Sequence, residues 1–201
     1  IYQEVPLKNI LEACEAGGHP NRAYYFFSTS KITFPGAGIS LIASGPDNMK
    51  EFKGHMSSQT IGHDKLNQLR HVQYFKTPEN IRAHMAALAE VLRPKFDMVL
   101  NRLEEELEGS GLAVWSRPKG GYFISLDTLA GCAKRTVQLA KEAGVTLTGA
   151  GATYPYKRDP QDRNIRIAPT YPTPEELKSA MDIFILCVKI AGIESVVNQG
   201  N

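Results

Sequence analysis

The chain has 201 residues, enough for one or two domains with a real core. Its 23 basic and 21 acidic residues leave a formal charge of +2, which gives no electrostatic footprint for nucleic acid or an anionic membrane. No apolar run approaches a bilayer span, no secretory leader opens the chain, and three scattered cysteines (Cys14, Cys132, Cys187) fit reduced thiols of a cytoplasmic protein better than a disulfide framework.

Leu7, Ile10, Leu11 and Cys14 recur at helical spacing, with Pro6 near the start and Gly17-Gly18 after the end. Arg22 to Phe27 reads as a short, aromatic, buried strand. It runs into Ser28-Thr29-Ser30-Lys31 and a loop holding Pro35, Gly36 and Gly38, and a second strand follows at Ile39 to Ala43. Helical character returns around Met49 to Phe52 and Leu66 to Tyr74. Thr77-Pro78-Glu79 starts a long helix, with Thr as N-cap and Pro at the first helical position. Pro94 should kink or split it, and Gly109-Ser110-Gly111 ends it.

Shorter elements come next. Leu112 to Trp115 and Gly121 to Leu126 read as paired strands around Pro118-Lys119-Gly120, and Gly131 to Ala143 as a helix closed by Gly144. Val145 to Leu147 and Asn164 to Ala168 read as strands on either side of a long loop. Thr173-Pro174-Glu175-Glu176 is a capping box that opens a final helix, with Gly192 as its stop. The grammar is α/β over residues 1–76, a connecting helix over 77–109, and a small α+β domain over 110–201. The five histidines show no zinc-type spacing, even at His63 and His71, so no metal site is expected.

The chemical signal is Lys31. A lysine beside a buried aromatic strand is disfavoured as an ammonium, and a free amine condenses with an aldehyde to a Schiff base. Ser28, Ser30 and the backbone N–H groups of the glycine loop are suited to a phosphate. A solvated loop lysine is the plain alternative. Ser28-x-x-Lys31 also satisfies the S-x-x-K pattern of serine acyl-transfer enzymes, which needs both residues on a helix; Pro35, Gly36 and Gly38 oppose one there. Arg166 offers a rigid fork for a carboxylate from within a strand.

Three segments together, STSK with its Pro/Gly loop, RPKGGYFISL, and NIRIAPTYPTPEEL, resemble fold-type I pyridoxal-phosphate-dependent aminotransferases of class I/II. STSKITFPGAG and KLNQLRH are similar to a bacterial aspartate-aminotransferase-like subgroup. The resemblance implies part of a large PLP-transferase domain, a mixed sheet flanked by helices, followed by the small α+β C-terminal domain. It implies pyridoxal 5′-phosphate on Lys31, with Ser28 and Ser30 toward its phosphate, and Arg166 on the substrate α-carboxylate. Within His63 to His71, Arg70 is the candidate for a distal carboxylate, reaching a neighbouring subunit's site in a homodimer. The implied function is transamination between an amino acid, aspartate or glutamate among the candidates, and a 2-oxo acid. A β-lyase and the effector-binding half of a transcriptional regulator share the scaffold. Two departures stand out. No arginine follows the Pro/Gly loop, which reads Gly36-Ala37-Gly38-Ile39, and no aspartate precedes Lys31, the first being Asp47. The chain is therefore expected to be the C-terminal piece of a protein about twice as long, inactive alone, with the ring-nitrogen partner upstream of Ile1.

Overall fold

The computed structural model describes residues 7–199; Pro6, named above at the first helix's start, lies outside them. The chain divides into two compact units between Leu88 and Ala89, each taken by itself below.

Residues 7–88 open with helix α1 (Ile10–Ala16), capped by the Asn9 side chain on Leu11 N–H. Strands β1 (Tyr24–Ser28) and β2 (Ser40–Ser44) form an antiparallel pair in which Ser28 faces Ser40. Helix α2 (Pro46–Gln59) follows with Pro46 in its first turn. Asn21 ties that helix start to the chain before β1, donating to Asp47 at 2.7 Å while its backbone carbonyl accepts from Asn48 at 2.8 Å. Helix α3 (Lys65–Phe75) is capped by Asp64, which accepts from Asn67 N–H at 2.9 Å. Strand β1 departs from expectation. Tyr24, Tyr25, Phe26 and Phe27 are all exposed, Phe26 at 71%, because among the described residues only β2 pairs with β1. Aromatic content marked a strand correctly but not a buried one.

Helix α4 (Pro78–Leu107) runs unbroken through Pro94, where a kink or split was expected. A mid-helix proline deprives the carbonyl four residues back of its donor. Here Pro94 and Glu90 are both exposed, so that carbonyl is on the solvent side.

Residues 89–199 close around one core. Strands β3 (Ala113–Trp115), β4 (Ile124–Thr128) and β5 (Asn164–Ile167) form an antiparallel sheet in that order. Helix α5 (Ala133–Glu142) precedes the long loop, and α6 (Pro174–Gln199) ends the unit. Phe96, Val99, Leu103 and Leu107 of α4, spaced three or four apart, meet Ile124, Leu126, Ile165 and Ile167 of the sheet. Leu177, Met181, Phe184 and Val188 of α6 join the same cluster. Arg102 to Asp182 at 2.7 Å and Lys189 to Glu106 at 2.6 Å tie α4 to α6 at the rim. The Thr173 capping box forms in both directions, 2.9 Å and 3.2 Å.

Two expectations fail in this unit. Val145–Leu147 is not a strand, because Val145 N–H closes α5 on Ala140 O at 2.8 Å while Gly144 bonds Lys141 O, a Schellman end. Gly192 does not stop α6. It is buried inside the helix, and a Cβ there would sit 2.7 Å from Leu112 Cδ2, so the glycine serves close packing.

Candidate active site

Lys31 sits on the corner between β1 and β2. Thr29 N–H continues the ladder to Ile39 O at 2.9 Å, and Thr29 O accepts from both Ile32 N–H and Thr33 N–H at 2.9 Å. A single tight turn thus carries Ser30 and Lys31 at its crest. The chain then reverses at Phe34–Ala37, closed by Ala37 N–H to Phe34 O at 3.0 Å, with Gly36 at φ +77°. Proline followed by a left-handed glycine is the signature of a type II turn. Ser28 lies at a strand end and no sustained helix follows, so the geometry that the acyl-transfer pattern requires is absent.

Ser28 and Ser30 come together on this corner: their hydroxyls are 2.7 Å apart, and Ser30 N–H donates to Ser28 Oγ at 3.2 Å. Gly38 permits the approach. A Cβ on it would lie 2.9 Å from Ser30 Oγ and 3.0 Å from Ser30 N. Both serines and Lys31 face solvent. Exposed hydroxyls at this spacing, beside a lysine, suit a phosphate-bearing aldehyde.

Helices α3 and α4 latch the corner from below. Asn67 Nδ2 donates to Ala37 O at 2.8 Å. His71, buried one helical turn later, puts Nε2 3.0 Å from Thr33 Oγ1 and 3.5 Å from Thr29 Oγ1, with Nδ1 2.9 Å from Asn67 O. His84 Nε2 donates to Ile32 O at 2.7 Å. Phe34, Tyr74 and Phe75 pack edge-on around the two imidazoles, centroids 5.4–5.9 Å apart. Sequence reasoning placed His71 in a basic run and overlooked His84; no motif links histidines on two helices.

Arg166 stands on β5 opposite Ser125. Its guanidinium lies 4.4 Å above the Phe123 ring, and one terminal nitrogen donates to Thr148 Oγ1 at 3.4 Å. Arg166 Nε is buried with no hydrogen-bond partner. Arg102, Arg117 and Arg135 each hold a carboxylate within 2.8 Å, whereas Arg166 has no ion pair among the described residues. A half-buried guanidinium with an orphan donor has the chemistry to accept an external carboxylate. Arg70 is exposed on α3, one residue before the buried His71, and likewise has no ion pair among the described residues.

The residues present fit the lysine-bound and phosphate ends of pyridoxal 5′-phosphate. For the ring nitrogen, Asp47 is bound to Asn21 and Asp64 caps α3, so neither carboxylate is available. Among the described residues no group of three His, Cys, Asp or Glu side chains is placed to hold a metal ion. No described helix is long and apolar enough to cross a membrane. Cys14, Cys132 and Cys187 are free thiols.

A family model described as aspartate amino-transferase matches residues 2–200. An aspartate aminotransferase of Corynebacterium glutamicum is 48% identical over 184 residues, covering 92% of this chain and 43% of that protein. The crystal structure of an aspartate transaminase from Corynebacterium glutamicum superposes with a TM-score of 0.91 at 46% identity, over 97% of this chain and 46% of that one. An HTH-type transcriptional regulator of Bacillus subtilis is 25% identical over 194 residues, 94% of this chain and 38% of the regulator. The chain spans less than half the length of the curated relatives it matches.

Proposed function

The chain belongs to the aspartate amino-transferase family, and from that premise we propose that the protein containing it transfers an amino group between an amino acid and a 2-oxo acid, with pyridoxal 5′-phosphate held on Lys31. The observation that carries this reading is the β1–β2 corner: a lysine at the crest of a latched turn, beside two hydroxyls 2.7 Å apart.

When bound, the cofactor supplies an electron sink for charge developing at the substrate Cα. The rest is protein work. Lys31 Nζ anchors the cofactor until substrate displaces it, then moves the proton between substrate Cα and cofactor C4′. Ser28 and Ser30 Oγ hold the phosphate, and Gly38 leaves the room that lets Ser30 turn toward Ser28. Arg166 receives the α-carboxylate on its unpaired Nε edge, its plane fixed by Phe123. In a homodimer Arg70 reads the distal carboxylate of aspartate or glutamate in the partner's site. The Bacillus subtilis match sustains a second reading, an effector-binding half that uses the same residues for sensing. The 48% identity to an aspartate aminotransferase favours the enzyme.

Borohydride reduction of the full-length protein tests the assignment. Visible absorbance should vanish, and mass spectrometry should find the cofactor fixed to the peptide bearing Lys31. Cofactor on any other lysine sinks the reading.

A further inference from the structure

Beyond its own backbone bonds, the corner that presents Lys31 is held by side chains that have no part in the proposed chemistry. Resting on the reading of Lys31 as the cofactor-bearing lysine, we propose that His71 and His84 are positioning residues that together set the height and direction of its turn.

The geometry divides the work between them. His71 acts through the hydroxyls of Thr29 and Thr33, which bracket Lys31 in sequence. A backbone carbonyl only accepts, so Nδ1 carries a hydrogen toward Asn67 O, and Nε2 of the neutral ring is left as an acceptor facing the Thr33 and Thr29 hydroxyls at 3.0 and 3.5 Å. Thr33 Oγ1 is also 2.9 Å from Thr29 Oγ1, which in turn accepts Ile39 N–H at 2.9 Å. One imidazole therefore ties together both ends of the loop, residues 29 and 39. His71 and Thr29 are 4% and 8% exposed, so water competes little for these bonds.

His84 acts on the other side of the lysine. Its Nε2 must carry the hydrogen, because Ile32 O accepts it at 2.7 Å. The carbonyl it holds belongs to the residue after Lys31, so the bond fixes the Ile32–Thr33 peptide plane, one residue beyond the lysine. The two rings thus need opposite tautomers, and neither can take the other's place. Phe34, from the loop itself, packs against His71 at 5.5 Å, while Tyr74 and Phe75 flank His84 at 5.9 Å and 5.4 Å. Rotation of either imidazole off its acceptor would disturb two neighbouring rings, Phe34 and Phe75 at His71 and Tyr74 and Phe75 at His84. A lysine that anchors a group, is displaced from it and then moves a proton needs a base that stays put, since misplacement of about 1 Å costs roughly 100-fold in rate.

Histidine-to-leucine and histidine-to-glutamine variants of the full-length protein decide the matter. Glutamine restores an acceptor at position 71 and a donor at position 84; leucine restores neither. Amide hydrogen exchange over residues 29–39 reports the clamp independently of any chemistry at Lys31. In His71→Leu and His84→Leu that segment should exchange about tenfold faster, the scale of one lost hydrogen bond. The value of kcat should fall by about 10- to 100-fold with KM for the amino donor nearly unchanged. Glutamine should recover most of both. Thr33→Val, nearly isosteric and leaving every ring of the cluster in place, should reproduce the His71→Leu pattern even if that variant folds poorly. Unchanged exchange over residues 29–39, glutamine no better than leucine, or faster exchange with kcat intact would each overturn the proposal. Reduced cofactor on another lysine, with the exchange pattern as expected, overturns the Lys31 reading instead.

Discussion

Arg166 and Lys31 are mounted in different ways. The strand under Arg166 lies on a closed core, with Ile165 and Ile167 on either side of it fully or nearly fully buried. The turn under Lys31 lies on hydrogen bonds from Asn67, His71 and His84, beside a strand whose aromatic rings face solvent. A group that only binds a carboxylate gains from a rigid sheet, because its fork must not wander. A group that is engaged, released and engaged again gains from a turn set by a few directional bonds, which fix orientation while leaving the side chain outside the packing. The contrast also separates stability from chemistry. In residues 89–199 the core residues and the proposed carboxylate seat are different side chains on one strand, while in residues 7–88 the loop proposed to carry the chemistry also buries Thr29.

Matched truncations give the widest test of that contrast. Leu103→Ala removes a fully buried side chain from the centre of the α4–sheet–α6 cluster. It should cost about 2–5 kcal/mol, read as a fall in the urea midpoint. Phe26→Ala removes a larger ring that is 71% exposed in this chain, and should cost less than about 0.5 kcal/mol in residues 1–201 expressed alone. Equal losses would show that the two units share one kind of packing. The exposed aromatic face should also make residues 1–201 self-associate, which Phe26→Ala should lessen in sedimentation.

Much of this contrast was legible in the sequence, in the elements that local rules decide. Asn164–Ile167, the Thr173 capping box and the helix through Phe96, Val99 and Leu103 follow from alternation, capping and period. What local rules missed is what depends on distant partners. The aromatic run at Tyr24–Phe27 has the composition of a buried strand, but burial is set by what covers it. Gly192 has the composition of a stop, yet Leu112, eighty residues earlier, makes it a contact point. In the candidate site, Lys31, Ser28 and Ser30 were visible because they are contiguous. His84 was not, because its partner, the Ile32 carbonyl, is a backbone group that no sequence pattern marks.

The two arginines sharpen the contrast next, by a panel of amino donors offered to the full-length protein. Arg166→Lys keeps a charge but loses the fork and its stacking on Phe123. Every donor presents an α-carboxylate, so kcat/KM should fall for all of them by a factor equivalent to about 2–4 kcal/mol. The urea midpoint should hold, since the side chain is not part of the core. Arg70→Ala should instead weaken aspartate and glutamate far more than alanine. A loss of stability in Arg166→Lys, or equal losses across donors in Arg70→Ala, would mean that these residues hold the fold and the carboxylate seats lie elsewhere.

The smallest expected effect lies in the loop that leads into β5, a part of the Arg166 unit that, like the Lys31 corner, is held by side-chain bonds to backbone. Asp159 accepts N–H bonds from Arg163 and Asn164 at 2.8 Å and from Gln161 at 3.0 Å, just ahead of the strand. Burial alone would raise its carboxyl, but these backbone donors outweigh burial and hold it below the ordinary aspartate range. A carboxylate depressed in the folded state contributes stability that is complete above its unfolded pKa and is lost as pH falls through the folded value. Asp159→Asn keeps an acceptor oxygen but no charge, so it removes that contribution at every pH. The wild type should therefore exceed the variant in urea midpoint at neutral pH, and the gap should shrink as pH drops below the ordinary aspartate range. Amide exchange at Arg163 and Asn164 should rise in step, while the core of α4 and α6 stays protected. A gap that stays constant as pH is carried well below the ordinary aspartate range would mean that the loop is held by shape and not by charge, and the likeness to the Lys31 corner would end there.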